Sequence, residues 1–174
     1  MSTDMQEIAA NIRLLALDVD GVLTDGCIYY GNSGEELKAF NIKDGLGIKL
    51  LQTTGVVVAI ITGRRSEIVQ RRASELGISE IIQGREDKLI ALQELASRLE
   101  LDLRECAYMG DDLPDLAAIR AAGIGMTVGD AAATVAHHAD WQSKLAGGHG
   151  AVREACEYLL DARDALGNAE EDYL

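Results

Sequence analysis

The stretch Leu14-Leu15-Ala16-Leu17-Asp18-Val19-Asp20-Gly21 constrains this chain more than any other. An unbroken apolar run that ends in two acids reads as a strand covered on both faces, the habit of parallel sheets. The strand is expected over about residues 12–18. Asp18 and Asp20 then lie at its carboxyl end, where ligands bind in open α/β sheets. Residues i and i+2 of a strand share a face, so extended geometry would aim both carboxylates at one site. Gly21 lets the backbone turn away at once. Two carboxylates this close repel unless a cation or a shared proton intervenes. A hard divalent cation with oxygen ligands, Mg2+, is the simplest answer. An acidic turn closing a strand is the alternative reading of the motif taken alone.

The 174 residues suffice for one domain with a real core. Aromatic residues make up only 4% against 48% hydrophobic, so that core must be built from Leu, Ile, Val and Ala. The net charge of −13 disfavours non-specific binding to nucleic acid or to an anionic membrane. It leaves an anionic small substrate open, because a metal and local charges can reverse the sign inside one cleft. Cys27, Cys106 and Cys156 are odd in number and form no CxxC, so they read as reduced thiols. No signal peptide and no membrane-length apolar run is legible, and a soluble cytoplasmic protein is expected.

Further buried strands are expected near 56–61, 78–82, 105–109 and 123–128. Helices are expected over 2–11, 44–54, from Arg64 to Leu76, 85–99, from Asp112 or Leu113 onward, 131–137 and 151–166, with a frayed acidic tail. Strand–helix alternation of this kind predicts an α/β fold, a doubly wound parallel sheet, as a single domain over 1–174. The one insertion is residues 26–40, where turn residues separate two short β-prone runs and suggest a hairpin. An isolated hairpin is barely stable, so this one should pair with something, such as another subunit.

Three further stretches fall at expected strand or helix ends. Thr62 follows an apolar strand and precedes a helix N-terminus, a ready anion site. Arg64 and Arg65 in that first turn oppose the helix dipole, which points to an anionic partner or to solvated surface arginines. Lys88 sits in another first turn, solvated or else set to steady a carboxylate and a phosphoryl oxygen. Asp111, Asp112 and Asp115 follow a fourth strand. Asp111 is the third candidate metal ligand; Asp112 and Asp115 either support the ligands from behind or cap the helix.

Taken in order, Asp18-Val-Asp-Gly-Val-Leu-Thr, Thr62-Gly-Arg, Lys88 and Gly110-Asp-Asp-x-x-Asp115 resemble the four motifs of the haloacid dehalogenase superfamily of phosphatases. The resemblance covers nearly the whole chain. Asp25-Gly-x-Ile-Tyr-Tyr, Lys38-Ala-Phe-Asn-Ile-Lys-Asp-Gly45 and Gly147-Gly-His-Gly-Ala-Val-Arg-Glu154 narrow it to the small branch without a cap domain, which acts on phosphorylated keto sugar acids. The resemblance implies that Asp18 is the nucleophile and Asp20 the general acid/base, with Thr62 and Lys88 holding phosphate. It implies Mg2+ held by Asp18, Asp20 (through its carbonyl) and Asp111. Substrate contacts would come from Asp20, Asn41, Ile42, Lys43, Asp44, Gly45, Lys49, Arg64, Arg72 and Lys88. Arg64 and Arg72, about two turns apart, would flank one cleft.

An eight-carbon keto sugar acid 8-phosphate on the way to lipopolysaccharide is the implied substrate, with a nine-carbon relative as the alternative. A homotetramer is also implied. Its neighbouring subunit would close the site, with the glycine loop and Arg153 reaching across. A receiver-like phosphoacceptor module is the rival from another class. A dinucleotide enzyme is disfavoured, since no GxGxxG follows the first strand.

Overall fold

The computed structural model describes residues 3–171 and Tyr173. Six parallel strands form one sheet, in the order β5-β4-β1-β6-β7-β8. The predicted first strand, β1 (Leu14–Leu17), lies inside it, between β4 (Val57–Thr62) and β6 (Cys106–Gly110). Its register pairs Leu17 with Ile60 on one side and with Met109 on the other. All four of its residues are buried. Leu15 and Leu17 enter one core cluster while Leu14 and Ala16 enter the other, so neither face can carry a polar residue. That is why the run shows no alternation.

Helices cover both faces. On the first lie α1 (Thr3–Ala10), α2 (Ile42–Thr53), α3 (Glu67–Glu75) and α7 (Ala151–Asp161), which bury Ala9, Ile48, Leu51, Val69 and Leu159. On the second lie α4 (Lys88–Arg98), α5 (Leu116–Ala121) and α6 (Ala133–His138), which bury Leu92, Leu95, Ile119 and Val135. The remaining strands, β5 (Glu80–Gln83), β7 (Ile124–Thr127) and β8 (Trp141–Gln142), complete the α/β doubly wound arrangement. Among the described residues no helix is long and apolar enough to cross a membrane. Cys106 and Cys156 are buried and Cys27 is exposed.

The insertion is a hairpin as expected, with β2 (Tyr29–Tyr30) antiparallel to β3 (Glu36–Leu37) in a two-stranded sheet of its own. Three expectations need correction. The helix after β4 starts at Glu67, so Arg64 and Arg65 lie in the loop before it and not in its first turn. Pro114 lies in a 3-10 turn (Leu113–Asp115), and α5 begins only after it.

The third correction is at the carboxyl end, where no single helix spans 151–166. Helix α7 stops at Asp161, Asp164 adopts a left-handed φ of 54°, and the Ala165 N–H returns to the Leu160 carbonyl at 2.9 Å. A second helix, α8 (Leu166–Glu171), then packs Leu166 and Ala169 on the first core cluster. Those small apolar contacts order a segment whose acidic composition reads as frayed. Residue 2 of the expected leading helix, and Asp172 and Leu174 of the tail, lie outside the described residues.

Gly125, in the middle of β7, shows how closely α5 packs on the sheet: a Cβ built there falls 2.3 Å from the Ile119 carbonyl oxygen. Backbone cannot yield as a side-chain tip can. Gly125→Ala is therefore expected to cost about 1–3 kcal/mol, read as a lower denaturant midpoint at unchanged slope.

Candidate active site

Parallel register brings three strand ends to one edge. Asp18 follows β1, Thr62 ends β4, and Gly110 ends β6 immediately before Asp111. Lys88 arrives from the opposite direction, as the first residue of α4. The resulting cavity, about 200 Å³, is lined by Asp18, Asp20, Thr62, Arg64, Glu86 and Lys88, among others. Asp18, Thr62, Lys88 and Asp115 are all buried.

The Lys88 ammonium donates to Asp18 Oδ2 and to Asp115 Oδ1, both at 2.6 Å. Asp115 also accepts from the Tyr108 hydroxyl (2.8 Å) and from the backbone N–H groups of Asp111 (3.1 Å) and Asp112 (3.3 Å). Four donors fill the lone-pair capacity of one carboxylate. Asp115 is therefore committed to holding Lys88 and the Asp111 backbone. Asp112 is exposed and caps the 3-10 turn through the Leu113 N–H at 2.8 Å.

Oxygens of Asp18, Asp111 and Asp115 lie within 4.8 Å of one another. Three carboxylates against one ammonium leave an uncompensated negative charge. Burial, reinforced by Asp115, raises the Asp18 pKa to about 6 in spite of Lys88. Burial, with Asp115 and Asp18 beside it, raises Asp111 to about 7. Burial alone would lower Lys88, but the two carboxylates outweigh it and hold its pKa above the ordinary value. A site that resists ionisation this strongly fits a hard divalent cation. With Asp115 saturated, Asp18 and Asp111 are the carboxylates left to face it. Gly21 closes the site at φ +90°, where a Cβ would fall 2.1 Å from Asp111 Oδ2.

Asp20 lines the same cavity, but its carboxylate lies outside the three-acid cluster. The strand ends at Leu17, so the extended geometry that would align Asp18 with Asp20 does not persist. Asp20 Oδ1 instead accepts from Lys38 on the hairpin, and Oδ2 lies 3.8 Å from Arg64 Nε.

The predicted substrate residues divide. Arg64 joins the cavity, whereas Ile42, Gly45, Lys49 and Arg72 line a second cleft of about 200 Å³ that shares no lining residue with it. Arg64 and Arg72 therefore do not flank one cleft. Arg72 bonds the Asn41 carbonyl at 3.4 Å and stacks over Phe40. Asn41 caps α2 through the Lys43 N–H and donates to Gly148 O at 3.2 Å. Lys43 is exposed. Asp44 is turned inward, where its carboxylate accepts the N–H groups of Gly150 (3.3 Å) and Arg153 (2.8 Å) at the start of α7. Burial raises its pKa, partly offset by those bonds. The glycine loop docks on the Asp20–Thr24 turn, with Gly148 N–H on Val22 O at 2.9 Å. Arg153 pairs within its own chain, with Glu157 at 2.5 Å and Glu170 at 3.9 Å.

Sequence reasoning missed Lys38, Glu36 and Tyr108 as parts of the site. Glu36 and Lys38 share an i, i+2 face of the hairpin, which was a usable signal. Tyr108 sits within an apolar strand, and nothing local marks its hydroxyl as bonded to Asp115.

Residues 65–154 match the family model described as haloacid dehalogenase-like hydrolase. The chain is 48% identical over 170 residues to a 3-deoxy-D-manno-octulosonate 8-phosphate phosphatase of Escherichia coli (strain B / BL21-DE3), spanning 98% of this chain and 90% of that protein. A crystal structure of the Moraxella catarrhalis phosphatase of the same description, in complex with magnesium ion, phosphate ion and KDO, superposes with a TM-score of 0.98 at 46% identity and full coverage of both chains. The cobalt-bound Haemophilus influenzae phosphatase superposes at 0.88 with 38% identity, over 91% of this chain and 93% of that one. With four acid, threonine and lysine clusters gathered at one sheet edge and likeness along the whole chain, this protein belongs to the haloacid dehalogenase-like hydrolases.

Proposed function

We propose that the chain is a Mg2+-dependent phosphatase that hydrolyses 3-deoxy-D-manno-octulosonate 8-phosphate to the free keto sugar acid and phosphate. The carrying observation is the buried Lys88 ammonium, 2.6 Å from both Asp18 and Asp115, with Asp111 alongside. Asp18, Asp111 and the Asp20 carbonyl would hold the cation. When bound, Mg2+ supplies the positive charge that lets a carboxylate and a phosphate approach each other.

Phosphoryl transfer asks for positioning and charge neutralisation more than for elaborate chemistry. Thr62 and Lys88 hold the phosphate oxygens. An Asp18 oxygen attacks phosphorus while the bond to the sugar oxygen breaks, and Asp20 delivers its proton to that leaving oxygen. Asp20 then takes a proton from water, whose oxygen attacks phosphorus. The Asp18–phosphorus bond breaks and phosphate leaves. A unit charge pair at ~4 Å with an effective dielectric near 20 is worth roughly 4 kcal/mol, the scale of what Lys88 contributes to either partner.

The protein works in the cytoplasm as a homotetramer, in which a neighbouring copy closes the cavity. Two observations support this reading. Ile28, Tyr29, Tyr30 and Leu37 leave apolar side chains exposed on the hairpin. Lys49 is exposed in a cleft apart from the three-acid cluster, where it can face the acids of another copy.

Phosphate release from the eight-carbon substrate, measured beside the nine-carbon analogue, tests the reading, and a preference for the latter would overturn it. Asp18→Asn should lower kcat by several orders of magnitude with the fold intact; near-normal turnover would remove Asp18 from the nucleophile's role. Mg2+ affinity should rise steeply between about pH 5 and pH 7.5, because protons must leave Asp18 and Asp111 before the cation enters. The raised native pKa values mean that the metal-free fold loses stability as pH climbs through the same range. The thermal shift on adding Mg2+ should therefore grow with pH. Leu37→Asp should yield monomers in sedimentation with at least tenfold lower kcat/KM, and a fully active monomer would sink the shared-site reading.

A further inference from the structure

The hairpin touches the sheet through charge. Along β3 and the residue after it, Leu37 is exposed while the Lys38 side chain between the hairpin and the core is 1% exposed. Burying an ammonium is costly unless it is paired. Lys38 meets Asp20 Oδ1 and lies 3.5 Å from Glu36 Oε1. That Glu36 oxygen is buried with no hydrogen bond of its own, so the Lys38 charge is what faces it. Glu36 Oε2 in turn accepts from Arg64 Nη2 at 3.3 Å, and the same nitrogen lies 3.5 Å from the Tyr30 hydroxyl. Two cations and two carboxylates thus form a closed ring at the cavity edge, and Asp20 is its only member at the acid end of β1.

We propose that Lys38 is a positioning residue for Asp20, and that the hairpin is thereby a working part of the catalytic site. This rests on the reading of Asp20 as the proton carrier. An ammonium donates hydrogen bonds and accepts none. Its contact with Oδ1 reserves that oxygen and leaves Oδ2 to hold and pass the proton. Arg64 Nε, 3.8 Å from Oδ2, is beyond hydrogen-bond distance and does not compete for it. In the first half-reaction the Oδ2 proton goes to the sugar oxygen as its bond to phosphorus breaks and the Asp18–phosphorus bond forms. In the second, Oδ2 takes a proton from the attacking water as the Asp18–phosphorus bond breaks. Lys38 exchanges no proton; it fixes the rotamer in which Asp20 does.

Leaving-group dependence separates this role from a structural one. Sugar alkoxide must be protonated to leave, whereas 4-nitrophenolate need not be. In the full-length chain with Mg2+, Lys38→Met should lower kcat/KM for the sugar 8-phosphate about 100-fold, the scale of one general acid. The loss should fall on kcat more than on KM, with 4-nitrophenyl phosphate nearly unchanged. Lys38→Arg should recover most of the loss. In an Asp20→Asn background Lys38→Met should cost nothing further on the sugar phosphate. Equal losses on both substrates, no loss on either, or an additive loss in the double variant would overturn the proposal. A wild-type protein that cleaves 4-nitrophenyl phosphate but not the sugar phosphate would overturn the proposed function instead.

Discussion

The Lys88 ammonium lies between two buried carboxylates, and neither acid could be buried at such cost without it. A buried ion cluster is weak evidence for stability, since desolvation consumes much of the Coulombic gain. Its use here is geometric. Lys88 comes from the first turn of α4, Asp18 from the end of β1, and Asp115 from the turn after β6, so one side chain ties three crossover units together at the site. The position of α4 is thus bound to the position of the candidate nucleophile. The hydroxyl of Tyr108 and two backbone N–H groups hold Asp115 from behind, which fixes the Lys88 head from the protein side, while Asp18 Oδ1 accepts the Val19 N–H at 2.7 Å.

How much of this was legible in the sequence depends on the distance over which each signal acts. Leu14–Leu17 predicts a doubly covered strand because its residues are apolar on both of its alternating faces, so each face needs cover. Thr62, Lys88 and Asp111 were legible because each stands next to a strand end or helix start. What was not legible depends on partners far along the chain. Asp44 reads as a ligand-facing loop acid, yet it caps a helix more than a hundred residues away. Arg72 reads as a second arm of the same cleft, yet the start of α3 at Glu67 turns it toward Asn41 and Phe40. The break at Asp164 was missed because small residues such as Ala162 and Ala165 fit a continuous helix as well as a turn. Only the packing of α8 decides between them.

The same contrast explains the two-part division of the candidate substrate residues. Asp18, Thr62 and Asp111 are fixed by sheet register and could not be moved without rebuilding the core. The residues of 41–45, with Lys49, are positioned instead by α2, which is anchored through Asn41 and Asp44 to the glycine loop and the start of α7, and Arg72 meets them from α3. The acid cluster is thus placed by strand ends, and the second cleft by a helix start tied to the chain's last quarter.

A phosphatase without a cap domain still has to control water around the reacting phosphate. The cavity is lined by strand ends and the loop after β4, and the hairpin charges Glu36 and Lys38 meet Asp20 and Arg64 of that lining. Tyr30, opposite Glu36 on the paired strand, stays on the ring's side with its hydroxyl near Arg64, whereas Leu37 lies on the other face and is exposed. One two-stranded element therefore presents two faces through the period-2 geometry of a strand: Glu36 and Lys38 toward Asp20 and Arg64, and Leu37 outward.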